Sequence, residues 1–440
     1  MDNLLSARAL MGISLAFHII YATIGIGLPF MLMMAEGLSL SSGDDSYHRI
    51  ARGWIRPAAV LFAVGAVSGT ILSFELGLLW PRFMEFSGPL VGFAFSMEGF
   101  AFFTEAIFLA LYSYGERRLS RRAIFLCTIP LTVAAATSAL FVISANSWMN
   151  TPAGFRLVNG VPAQVQPLKA FFNPAWPHQA LHGTIAAYVA TAFALSGMYA
   201  WRFLRGRIDE DGKRALTLSL AVGTICLPLM FLSGDWAAYF VAQHEKPKLA
   251  AMEAHFKTSR GAPLVMGGWP DPATGEVHFG LEVPKLLSFL AHRDLNAVVE
   301  GLDAFPASDV PDPRLVHPFF DLMVGSFFVM FVAACRFWWR RLRHREVPLD
   351  KWSLWSLLFA GPFGMIALEA GWMVTEFGRQ PWVVVGFLRT EQGVTVSPGI
   401  GPIFLLFLLV YLALTAGLLK LLLGGEPAGG GPGEGPYGAP

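Results

Sequence analysis

The sequence predicts an all-α polytopic membrane protein of about nine transmembrane helices, arranged as two four-helix units plus a peripheral helix. Three observations carry that prediction. The chain of 440 residues is 54% hydrophobic and only 14% charged, against roughly 25% charge in soluble domains. Its apolar residues gather in runs of about 20 or more, long enough to cross a hydrocarbon layer of about 30 Å. Basic residues collect in alternate connections between those runs, the asymmetry that orients helices in a membrane. The net charge of +1 points to no charged partner, and no basic patch suggests nucleic acid.

In chain order the expected spans are 8–37, 54–80, 90–114, 122–147, 178–203, 213–240, 317–339, 353–377 and 398–424. The first run, Ala9 to Ala35, lacks a basic leader and is too long for the apolar core of a signal peptide, so it is read as a membrane helix. Arg49, Arg52 and Arg56 lie between spans one and two. The connection 116–122 (ERRLSRR) holds four Arg, 202–214 holds five Lys/Arg, and 336–351 holds six. All of these fall on one side, which the positive-inside rule makes cytoplasmic, so the N-terminus is expected outside and the C-terminus inside.

The opposite connections differ. Residues 148–177 are rich in Pro and Asn, and 241–316 form the largest hydrophilic segment. The organisation expected is therefore helices one to six in 1–240, an external loop in 241–316, helices seven to nine in 317–424, and a disordered Gly/Pro-rich tail in 425–440. Within the loop, Lys248 to Phe256 suits a short amphipathic helix, and Pro270-Asp271-Pro272 suits a turn. The three cysteines, Cys127, Cys226 and Cys335, are scattered through the spans. They form no C-x-x-C clamp and no C-x-x-C-H haem attachment.

Ionisable residues inside the spans carry the chemistry. The stretch Gly361 to Trp382, GPFGMIALEAGWMVTEFGRQPW, holds Glu369 and Glu376. Seven residues turn a helix by about 700°, so both acids share one face. A charged group near the bilayer centre costs about 2.5–3.5 kcal/mol on insertion scales, which makes such acids functional candidates. Glu98 and Glu105 repeat the spacing in span three, and Thr104-Glu105 echoes Thr375-Glu376. The four acids suit proton carriers, metal ligands or haem ligands. No E-x-x-H accompanies them, which argues against a di-iron carboxylate bundle. His18 and His182 lie within spans, and His178 and His317 at span ends. Imidazole binds haem iron, and methionine with histidine makes a low-spin pair, for which Met323 is a candidate. Arg8 and Arg379 sit at outer span ends. Arg8 precedes His18 by about 15 Å of helix, a separation that suits a haem propionate near the interface as well as an ordinary interfacial anchor.

Four segments together resemble subunit I of the cytochrome bd quinol oxidases. They are Gly378-Arg379-Gln380-Pro381-Trp382, Glu369-Ala370-Gly371-Trp372, Ala145-Asn146-Ser147-Trp148-Met149 and Lys248-Leu249-Ala250-Ala251-Met252-Glu253. The resemblance covers almost the whole chain. It implies nine helices carrying a low-spin haem b, a high-spin haem b and a haem d (or a third haem b) near the outer surface. His182 and Met323 match the ligands of the low-spin haem. His18 matches the axial ligand of one active-site haem, with Glu98 on its other side. Glu376 matches the ligand or close partner of the other. Trp372 matches the indole between the active-site haems, and Arg379 a propionate partner. Glu105 and Ser138 match a proton route from the cytoplasm, beside which Glu369 is assigned to proton supply or a structural bond. Lys248 and Glu253 match quinol-site positions in a loop of the family's short type.

The implied reaction oxidises a membrane quinol (ubiquinol or menaquinol) at the outer face and reduces O2 to water with cytoplasmic protons. It charges the bacterial cytoplasmic (inner) membrane without a pump. The implied partners are a second oxidase subunit and, as an optional addition, a small single-span subunit. Alternative readings are a cyanide-insensitive relative with b haems only, an ion-coupled transporter without haem, and a haem-bearing assembly subunit. Three positions depart from the family pattern. Asp321 stands for an expected Arg, which should lower the potential of the low-spin haem. Glu75 stands for an expected Gln, and Trp236-Ala237 for a Ser-Gly step.

Overall fold

A computed structural model describes residues 3–115 and 118–423. Among them are nine helices long and apolar enough to cross a membrane. They are α1 (Asn3–Ser42), α2 (Asp45–Leu79), α3 (Pro81–Gly115), α4 (Arg121–Asn150), and, after the short α5 (Pro167–Phe171), α6 (Trp176–Leu204) and α7 (Glu210–His244). Next come two loop helices, α8 (Lys246–Met252) and α9 (Leu286–His292), and then α10 (Pro313–His344). The chain closes with α11 (Lys351–Ala360), α12 (Phe363–Phe377), the short α13 (Thr390–Gly393) and α14 (Ile400–Leu423). The expected tail, 425–440, lies outside the described residues.

Most helices outrun their apolar cores because polar residues start them. Asp44 accepts from Ser46 N at 2.9 Å, Asp209 from Gly212 N at 2.7 Å and Asp350 from Ser353 N at 3.1 Å, satisfying amides that the first turn leaves open. The eighth span is broken where an unbroken run was expected. Pro362 supplies no amide donor, and Gly361 lies against α6. A Cβ on Gly361 would stand 3.1 Å from the Cα of Gly197. Backbone-on-backbone packing at small residues suits helices in lipid, where solvent gives them no hydrophobic drive to associate.

Neighbours in sequence pair as antiparallel partners: α1 with α2, α3 with α4, α6 with α7 and α10 with α12. Helices α1–α4 form one unit, and α6, α7, α10 and the α11–α12 span form the other. They meet along α1, α4 and α6, and α14 leans on α1 and α2 from outside. The central core of the second unit and its seam with α1 includes Met31, Phe193, Leu216 and Phe337. A smaller core at the loop end surrounds Trp148, which is fully buried.

The loop between α7 and α10 is folded. It contains three nested antiparallel ladders, β3 (Ser259–Arg260) with β8 (Val298–Val299), β4 (Leu264–Met266) with β7 (Leu281–Val283), and β5 (Trp269–Asp271) with β6 (Glu276–His278). The expected helix 248–256 is α8 and stops at Met252, with Ala254 in a left-handed conformation at φ 45° just beyond it. The expected turn falls just after Pro270-Asp271, at 272–275, which close the β5–β6 hairpin. Leu249, Met252, Leu287, Val316 and Val374 pack the loop onto α10 and α12.

Candidate functional site

Two histidines are held the same way. His18 on α1 and Ser68 on α2 are hydrogen-bonded, Nδ1 to Oγ, at 3.0 Å. The Ser68 hydroxyl proton is directed to backbone oxygens of its own helix, Val64 O at 2.9 Å and Gly65 O at 3.1 Å. A hydroxyl has one proton. With that proton given to either carbonyl, Ser68 accepts from His18, Nδ1 carries the hydrogen, and Nε2 keeps its lone pair. His182 on α6 repeats this with Ser233 on α7 at 3.0 Å, and Ser233 donates to Met230 O at 3.0 Å. A glycine follows each serine and gives the ring room. A Cβ on Gly69 would lie 3.0 Å from His18 Cε1, and one on Gly234 would lie 3.4 Å from His182 Cε1. Met323 of α10 lies against α12, where a Cβ on Gly371 would be 3.0 Å from its Sδ. Because α12 also packs on α6, Met323 and His182 belong to two helices of one unit that share α12 as a neighbour.

The acids fall into two kinds. Glu376 is engaged: Asn146 Nδ2 donates to Oε1 at 2.9 Å, and Arg379 Nη2 donates to Oε2. Arg379 is 5% exposed, and its Nε and Nη1 are buried without a partner among the described residues. Glu369, two turns earlier on α12, has both carboxylate oxygens buried and without a partner among the described residues. On α3, Glu98 is half-buried and Glu105 is buried; neither forms a hydrogen bond with a described residue. Ser138 lies half-buried on α4, the packing partner of α3. Trp372 is half-buried on α12, between Glu369 and Glu376 in sequence. Arg8 stands apart. It is exposed on the first turns of α1 and pairs with no described acid.

The loop reaches this centre through Lys248, which is buried. Its Nζ donates to Asn150 Oδ1 at 2.7 Å and to Glu245. Asn150 Nδ2 donates to Asn146 Oδ1 at 3.2 Å, and Asn146 holds Glu376. One hydrogen-bonded chain thus runs from Glu245 through Lys248, Asn150, Asn146 and Glu376 to Arg379. The glycine of the GRQPW segment permits the approach: a Cβ on Gly378 would stand 2.9 Å from Lys248 Cε. Glu253 follows α8 and is buried, and its side chain forms no hydrogen bond with a described residue. Burial, and then the nearby Asp321 carboxylate, push its pKa up to about 8.

Ser68, Ser233, Asn150, Glu245 and His317 were not singled out as site residues from the sequence. A serine in an apolar run reads as a small packing residue, and only tertiary pairing shows it as a histidine's partner. One signal was legible: both histidines are followed about 50 residues later by Ser-Gly in the next span. The departures find local roles. Glu75 accepts from Ser14 at 2.8 Å, and Ser14 accepts from Tyr411 at 2.8 Å, tying α2, α1 and α14. Asp321 accepts from Gly267 N of the loop at 2.7 Å. Trp236 stands 6.1 Å from the ring of His178, whose two nitrogens are buried and unpartnered.

Comparison with known proteins places this geometry. The family profile described as cytochrome bd terminal oxidase subunit I matches residues 6–424. The chain is 37% identical over 428 residues to a putative cytochrome bd menaquinol oxidase subunit I of Bacillus subtilis, covering 96% of each. It is 30% identical to the cytochrome bd ubiquinol oxidase subunit 1 of the same organism, covering 96% of this chain and 92% of that one. The solved structure of the bd oxidase from Geobacillus thermodenitrificans superposes with a TM-score of 0.92 at 38% identity, over 96% of this chain and 98% of that one. The chain belongs to the cytochrome bd terminal oxidase subunit I family.

Proposed function

We propose that this chain is the haem-bearing catalytic subunit of a quinol:O2 oxidoreductase in the bacterial cytoplasmic membrane. The observation that carries the reading is the shared Nδ1–serine pairing of His18 and His182. Each ring donates from Nδ1 to a serine and offers Nε2, the form a metal ligand requires. The buried, unpartnered Nε and Nη1 of Arg379 fit the same conclusion, because a haem propionate would satisfy them. The residues present therefore fit haem.

In this reading His182 and Met323 would hold a low-spin haem b. His18 with Glu98, and Glu376, would hold a high-spin haem b and a haem d or a third haem b. The haems supply one-electron transfer and the site of O2 reduction. The chain supplies everything around them. Lys248 orients a quinol oxygen, and Glu253 accepts the quinol proton. Trp372 fills the space between the active-site groups, and Arg379 fixes a propionate. Glu105 and Ser138, with Glu369 as a second source, bring protons from the basic end of the helices. Per O2, two quinols give four electrons and release four protons at the loop side, and four protons enter from the basic side to make two waters. Charge separation then needs no pump. The basic end is cytoplasmic, and the N-terminus and folded loop are outside. Subunit II, and in some assemblies a small single-span subunit, cover the apolar faces of α2, α3 and α14.

A reading with b haems only shares all these residues. An ion-coupled transporter would leave the two His–Ser pairs without a task. The test is quinol-driven O2 consumption by the purified complex, with His182→Ala and Glu253→Ala as variants. The expected result is loss of turnover in both; full turnover in both would remove the electron-entry assignment.

A further inference from the structure

The position where the family pattern expects Arg carries Asp321, and its surroundings show what the acid does. Asp321 sits in the third turn of α10, two residues before Met323 and one turn after His317. Its Oδ2 accepts the amide of Gly267, in the turn between β4 and β5, at 2.7 Å. The same oxygen lies 3.2 Å from His317 Nε2. His317 is fully buried. Its Nδ1 is 2.7 Å from Met252 O, at the end of α8, and its Nε2 is also 3.1 Å from Gly267 O. Every atom facing the ring is therefore an oxygen acceptor. The ring is thus held between backbone oxygens of two loop segments and the Asp321 carboxylate of its own helix. An arginine at 321 would leave the Gly267 amide without its acceptor.

These bonds tie three pieces of chain that the sequence keeps apart. The end of α8 is held through Met252 O, one residue before Glu253. The β4–β5 turn is held through both polar groups of Gly267. Both are fastened to α10, the helix that carries Met323. We propose that the His317–Asp321 pair is a latch that clamps the folded loop onto α10, and that both are positioning residues for Glu253 in quinol oxidation. The quinol part of this inference rests on the proposed function; the latch itself does not.

The surroundings of Glu253 agree with a positioning role. Burial raises its pKa, and so does the Asp321 carboxylate of α10, the charged group close enough to act on it. Lys248 is occupied by Glu245 and Asn150, and Asp303 by the amide and hydroxyl of Thr258. The Glu253 side chain forms no hydrogen bond or ion pair with a described residue, so its position depends on the backbone that His317 holds at Met252.

The test is amide hydrogen exchange in the purified holo-complex, read on peptides spanning 264–283, together with steady-state quinol oxidation. Asp321→Ala removes a charged acceptor, so opening of the Gly267 segment should increase about tenfold or more. The quinol KM should rise with a smaller change in kcat, while the reduced low-spin haem spectrum stays in place. Asp321→Asn, which keeps an oxygen for the Gly267 amide, should restore much of the protection. If Asp321→Ala fails to assemble, His317→Gln is read on the same peptides and on the end of α8. Unchanged exchange in the variant that assembles overturns the latch. Faster exchange with an unmoved quinol KM supports the latch and removes the loop from the quinol site.

Discussion

The His18 and His182 sites share a construction and differ in what surrounds them. In each, a ring on one helix donates to a serine on the next, and a glycine after that serine makes room for the ring. The two constructions occupy corresponding helix pairs, α1–α2 and α6–α7, of the two four-helix units. Their settings then diverge. Near His18, one turn earlier on α1, Ser14 binds Glu75 and Tyr411, a polar cluster facing the peripheral helix α14. The His182 site belongs to the unit that carries Met323 and receives the folded loop. The comparison teaches that a single way of setting a histidine tautomer serves two purposes. In the proposed function, an electron-entry site and an oxygen site would be separated by the second ligand and the neighbouring elements.

Replacing the rings should test this difference most severely. His182→Ala and His18→Ala should each lower quinol-driven O2 consumption by more than about 100-fold, above the 10–100-fold range typical of outer-shell partners. Their redox spectra should differ. His182→Ala loses the low-spin signal, and His18→Ala keeps it. Loss of the same signal in both variants would collapse the two sites into one.

Removing the serines should have a smaller effect, about 10-fold. Ser233→Ala should perturb only the low-spin haem, and Ser68→Ala only the active-site spectrum. If neither band moves, the shared tautomer has no functional weight.

The loop side of the comparison is sensitive to pH. Glu253 has its pKa raised to about 8, so at pH 7 it is mostly protonated and a poor acceptor for a quinol proton. The kcat/KM for quinol should therefore rise with pH and level off above about 8. Glu253→Gln should remove both the rise and most of the rate. A profile that falls from pH 6 to pH 8 would contradict the assignment.

Much of the architecture was legible before the structure, for physical reasons that also explain what was not. Span count and order follow from apolar run length and the placement of arginines. The break at Gly361–Pro362 is written in the sequence as a Gly-Pro step, yet a run that stays apolar on both sides reads as unbroken; contact with Gly197 shows why a small residue stands there. The ladders of the loop have strands of two or three residues, too short for an alternating pattern to register. The isolated acids stood out because charge is costly in lipid. Asn150 and Glu245 did not, because their meaning lies in a chain of bonds to Lys248 and Glu376 across 98 and 230 residues of sequence. Glu369 and Glu376 were equivalent by spacing, yet one is bonded twice and the other not at all. Glu369→Gln should thus slow turnover by several-fold if Glu369 supplies protons, as measured by O2 consumption; full turnover would leave it a structural acid.

The smallest effect concerns Asp321. Its charge is shared with His317 and the Gly267 amide, so its influence on the low-spin haem should be damped. A redox titration should still find a higher midpoint in Asp321→Arg than in the wild type, and equal midpoints would remove that influence.

The central claim is that the two histidine constructions exist to hold haem. Its most direct test is a reduced-minus-oxidised spectrum of the purified complex, with pyridine-haemochrome analysis of its haem content. The account expects a low-spin haem b together with active-site haem, the chlorin signature distinguishing haem d from a third haem b. A purified, folded complex with no haem at all would contradict it.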